Sequence, residues 1–88
     1  MVSQKVVVIN EQGIHMRPAG VLAKAVKAHA DSEVTLTANG KTVKAKAPMA
    51  IMSACIKKGN EVEITVEGGA EAEVLAEIVK MFEEGFGE

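Results

Sequence analysis

Eighty-eight residues, 48% of them apolar and 25% charged, can build one small core and are too few for two domains. One cysteine, Cys55, excludes an internal disulfide and with two histidines does not supply a structural zinc set; the two aromatics, Phe82 and Phe86, offer no platform for stacking nucleic-acid bases. The net charge of −2 hides an imbalance: residues 1–60 carry nine Lys or Arg against three acids, a balance of +6, whereas residues 61–88 carry Lys80 against nine Glu, a balance of −8. Two faces of opposite potential would steer an acidic partner to one side, with two ordinary solvated faces as the alternative.

The first apolar run, Val6-Val7-Val8-Ile9, is too short for a signal sequence, and no stretch approaches the roughly 18 apolar residues that span a bilayer. A cytoplasmic chain is expected. The run is β-branched throughout, which predicts a well-covered strand over Val2 to Ile9, closed by the turn cluster Asn10-Glu11-Gln12-Gly13. From Met16 to Ala30, Ala19, Leu22, Ala23, Val26 and Ala30 recur at steps of three and four, an amphipathic helix with Pro18 in its first turn.

Val34-Thr35-Leu36-Thr37 and Thr42-Val43-Lys44-Ala45-Lys46 flank Asn39-Gly40, a strong hairpin signal. A second helix is expected over Pro48 to Lys57, with Gly59 as its left-handed cap. Val62, Ile64 and Val66 alternate with Glu63, Thr65 and Glu67 as a half-buried strand. Val74, Leu75, Ile78, Met81 and Phe82 then mark a third helix over Ala70 to Glu84, acidic in its first turn as the dipole favours, ended by Gly85 with Phe86 packing back. The order β-α-β-β-α-β-α predicts an α+β fold, an open-faced two-layer sandwich with a four-stranded antiparallel sheet and three helices on one face.

The second helix has apolar residues on opposite sides, Met49, Met52 and Ile56 on one and Ile51 and Cys55 on the other. Only one side of it can face the sheet, so the other is either exposed for docking or wedged between neighbours. Cys55 is expected in the core. His29, about 20 Å from His15 along the first helix, is read as a residue favourably placed at a helix C-terminus, without a catalytic part.

Chemistry concentrates in Gly13-Ile14-His15-Met16-Arg17-Pro18-Ala19-Gly20. A histidine at a helix N-terminus meets unpaired N–H groups and a positive dipole end, which together suit an anion. Neutral imidazole is a nucleophile toward phosphorus, and a guanidinium fork can bond phosphate oxygens in pairs. A histidine near a helix start is by itself most often an ordinary surface or capping residue; the combination with Arg17 and Pro18 is much rarer.

The string GIHMRPAG resembles the G-[IL]-H-x-R-P-A signature of the HPr family, the histidine-containing phosphocarriers of the bacterial sugar phosphotransferase system. The NGK hairpin, the M-x-x-M-S helix and the glutamate-rich last helix carry the likeness over residues 1–88 as one domain. The resemblance implies that His15 accepts a phosphoryl group at Nδ1 from enzyme I and passes it to IIA domains. Arg17 and the Met16 and Arg17 backbone amides would stabilise that group. It further implies a partner-docking surface of Met16, Gly20, Lys24 and Lys27 with Pro48, Met49 and Met52. The chain would be a phosphorylated carrier rather than an enzyme, monomeric, without metal or cofactor, and would neither bind nucleic acid nor insert into a membrane.

The resemblance breaks at Ala47, where many relatives carry a regulatory serine; kinase control at that point is expected to be absent, with Ser53 no obvious substitute. A regulatory docking protein that relays no phosphate, a carrier of a nitrogen-related branch, and a ferredoxin-like binding domain remain as alternatives.

Overall fold

The computed structural model describes residues 1–87. In chain order they form β1 (Val2–Val7), α1 (Met16–Lys27), β2 (Glu33–Ala38), β3 (Lys41–Lys44), α2 (Pro48–Ser53), β4 (Glu61–Glu67) and α3 (Glu71–Glu83), then a 3₁₀ turn at Gly85–Gly87. The sheet order is β1-β4-β2-β3, every pair antiparallel. The two strands with the strictest alternation, β2 and β4, take the centre. Their register sets Leu36 beside Ile64 and Val34 beside Val66, while Val6 of β1 faces Val62.

Alternation sends these apolar side chains to one face, where the helices bury them. Leu22, Ile51, Ile78 and Phe82 come down from above, each almost wholly buried. The opposite face meets solvent. The hairpin between β2 and β3 turns on Asn39 (φ 54°) and Gly40 (φ 74°), two successive left-handed residues as a type I′ turn requires.

Four details differ from the sequence expectation. β1 alternates rather than being covered on both sides: Val6 and Val8 are buried, whereas Val7 and Ile9 are exposed, because only one face of the sheet carries helices. α1 stops at Lys27, and Ala30 is exposed, because the chain turns at Ala28 with the His29 N–H donating to the Val26 carbonyl.

α2 is shorter than expected, ending at Ser53. Cys55 adopts φ 53°, and the Asn39 side-chain amide donates to the carbonyls of Ala54 (3.0 Å) and Cys55 (3.1 Å), so the helix ends on the hairpin while Gly59 shapes a later turn. This turn also exposes Cys55, contrary to its expected place in the core, and buries Ile56 instead.

At the other end, Gly85 (φ 64°) breaks α3 as expected, and Phe86 folds back edge-on against Phe82 with ring centroids 4.8 Å apart. α3 starts without a side-chain cap on Ala70; the Glu71 carboxylate instead accepts the Gly68 N–H at 2.6 Å. That bond, with the Met1 ammonium 3.0 Å away, holds the Glu71 carboxyl below its ordinary pKa.

Candidate functional site

The path from β1 into α1 is fixed by the main chain. The Asn10 carbonyl accepts the Gly13 N–H at 2.9 Å, and the Ile14 N–H donates to the Ile56 carbonyl at 3.0 Å. Gly13 takes φ 69°, and a Cβ there would lie 2.8 Å from the Lys57 Cα and closer still to the Ile56 oxygen. Only glycine fits. Lys58 clamps the same two loops through Glu11 at 2.8 Å, a hydrogen bond and charge pair that hold the Glu11 carboxyl below the usual range.

His15 follows in extended conformation (φ −92°, ψ −162°) as the N-cap of α1, without using its side chain as a cap. Its carbonyl accepts the Ala19 N–H at 3.0 Å and so opens the helix. Pro18 has no N–H to give, which leaves Met16 and Arg17 as the backbone donors of the first turn. No acid lies in that turn to offset the dipole, and Lys24 and Lys27 occupy the last turn. The imidazole is half-buried, with Nδ1 shielded from solvent, and Arg17 is exposed. His15 lines a cleft of about 360 Å³ together with Asn10, Glu11, Gln12, Glu84 and Gly85.

The remaining site candidates fall on two helices that pack together. Met16 (74% exposed), Gly20, Lys24 and Lys27 lie along the solvent side of α1, and a Cβ at Gly20 would meet nothing within 4 Å beyond its own helix. On α2, Met49 is 77% exposed while Pro48 and Met52 are half-buried, and Ile51 takes the inward side. The helix with two apolar sides thus turns one to the core and Met49 to water.

His29 is not at this site. Its Nε2 lies 3.1 Å from Glu77 Oε1, linking the end of α1 to α3. Sequence reasoning missed that link, and it read Asn10 only as part of a turn cluster, with no pattern to distinguish it.

A family model described as "PTS HPr component phosphorylation site" matches residues 2–84. The chain belongs to the HPr family. The phosphocarrier protein HPr of Chlamydia trachomatis is 37% identical over 79 residues, covering 90% of this chain and 72% of that protein. A crystal structure of HPr from Thermoanaerobacter tengcongensis superposes with a TM-score of 0.93 at 32% identity, covering 100% of this chain and 98% of that one. A second structure from the same organism, described as an HPr dimer, gives a TM-score of 0.77 at 32% identity with both chains fully covered. HPr-family membership and the α+β open-faced fold therefore stand together, and they agree with what the GIHMRPAG string and the element order imply.

Proposed function

We propose that this chain is a phosphocarrier in which His15 accepts a phosphoryl group from phosphorylated enzyme I and passes it to IIA domains. The observation that carries the reading is the placement of His15: an imidazole at the N-cap of α1, with the Met16 and Arg17 amides in the first turn, no acid in that turn and Arg17 next to it.

In the forward step the imidazole nitrogen donates its lone pair to phosphorus as the bond from phosphorus to the donor breaks; in the return step that nitrogen leaves. The protein has little covalent chemistry to supply beyond this, so positioning and charge govern the rate. The amides and the guanidinium bond the phosphoryl oxygens, and the dipole favours their negative charge. Nδ1 is the shielded nitrogen of the ring, so acceptance there requires the imidazole to turn outward about its side-chain torsions.

Met16, Gly20, Lys24 and Lys27 of α1, with Pro48, Met49 and Met52 of α2, form the docking surface around it. The exposed methionines suit a surface that meets several partners in turn, and the lysines suit acidic ones. The carrier works as a cytoplasmic monomer of one domain, and no helix among the described residues is long and apolar enough to cross a membrane.

The test is incubation with enzyme I and phosphoenolpyruvate followed by intact-mass measurement, with a His15→Ala control. A gain of one acid-labile phosphoryl group, lost in the control, supports the relay. No gain with a competent enzyme I would replace it with a docking regulator.

A further inference from the structure

Asn10 is the single polar side chain in the buried set among the described residues, at 8% exposure. Its two polar atoms are treated differently. Nδ2 donates to the Gly85 carbonyl at 2.8 Å, whereas Oδ1 is buried with no hydrogen-bond partner. A buried orphan acceptor is unfavourable. What the amide adds is the bond from Nδ2.

That bond joins two segments 75 residues apart in sequence. One is the loop in which the Asn10 carbonyl fixes the Gly13 turn and delivers His15. The other is the C-terminal turn, where Gly85 (φ 64°), Phe86 (φ 56°) and Gly87 (φ 80°) are left-handed in succession. A phenylalanine disfavours that conformation, so the turn depends on outside contacts. It packs on α1 and α3, with Phe86 seated on Phe82, and the Asn10 amide bonds it to the loop after β1. Asn10 and Gly85 also both line the cleft that His15 lines.

We infer that Asn10 is a positioning residue of the His15 site, its side-chain amide holding the C-terminal turn in place as part of the cleft that the imidazole lines. This rests on the phosphocarrier reading for its kinetic consequence. The imidazole must turn to present Nδ1, and a fixed C-terminal turn limits the orientations open to it; small misplacements of a reacting group lower rates steeply. Asn10 acts through the turn that its amide holds.

The experiment is steady-state phosphoryl transfer from phospho-enzyme I to Asn10→Ala and Phe86→Ala, with the carrier as varied substrate, alongside NMR of the His15 ring. For Asn10→Ala the expected result is a fall in kcat of about tenfold, KM within about twofold, and shifted His15 ring resonances in a protein that still melts cooperatively. Phe86→Ala releases the same turn without touching Asn10, so the double variant should fall little further than the worse single one. Full kcat with unmoved His15 resonances in folded Asn10→Ala would overturn the inference. So would a defect confined to KM, which would mark Asn10 as part of docking. If the unmodified chain accepts no phosphoryl group, the phosphocarrier reading fails, and the His15 resonances alone decide whether Asn10 positions the ring.

Discussion

Gly13 stands against the Ile56 carbonyl with no room for a side chain between them. The contact seats the His15 loop on the connection between α2 and β4, and the Ile14 hydrogen bond to the same carbonyl closes it. Gly13→Ala adds a Cβ to a left-handed residue and drives it into main chain, which cannot yield as a side chain end could. The expected loss is about 2–4 kcal/mol, read from chemical unfolding midpoints.

Gly20 is the contrasting case. It lies within α1 where a Cβ would point into open space, so Gly20→Ala should stabilise the fold by up to about 1 kcal/mol through helix propensity alone. Because Gly20 belongs to the proposed docking surface, the same variant should bind enzyme I more weakly in a titration. A stabilised protein with unchanged affinity would remove Gly20 from that surface.

Acid should selectively erase the contribution of Glu71. Its folded pKa is depressed, first by the Gly68 N–H and then by the Met1 ammonium, so its stabilisation is present above the unfolded carboxyl value and is lost as pH falls through the folded one. Glu71→Gln should therefore unfold at lower urea than the unmodified chain near neutral pH. The gap should close as pH falls through the folded carboxyl value.

Ala47 caps α2 in extended conformation (φ −112°, ψ 105°) and offers no side-chain acceptor. Ala47→Ser supplies an oxygen for the Met49 or Ala50 N–H and should raise stability by about 1 kcal/mol, measured by thermal unfolding. The gain is local, so His15 phosphorylation by enzyme I should proceed at the unmodified rate.

Where the sequence was sufficient, the local signals agreed with one another. Asn39-Gly40 lies between alternating segments, and Val62, Ile64 and Val66 alternate cleanly, so the hairpin and β4 were both legible. The His15 loop was legible because Gly13, His15, Arg17 and Pro18 each bring a different constraint to one turn.

α2 was misjudged in length because its end is set from outside. Asn39, 15 residues earlier, draws the Ala54 carbonyl toward the hairpin, and nothing in the helix's own sequence announces that. The same bend turns Cys55 out of its expected place in the core and buries Ile56. Asn10 was opaque for a related one: an asparagine in a turn cluster looks like a turn former, and its partner Gly85 is far along the chain.

The bare side of the sheet carries a Thr37–Thr42 hydroxyl contact at 3.0 Å and the ion pairs Lys5–Glu61 (3.8 Å) and Lys44–Glu33 (3.4 Å). It faces away from α1 and α2. This gives the molecule a handle: a dye or a surface linkage at Thr42, with the exposed Cys55 first replaced, would grip the back while His15 and both helices stay open to incoming proteins. Immobilised this way, the chain could be offered to one candidate partner after another in a fixed orientation.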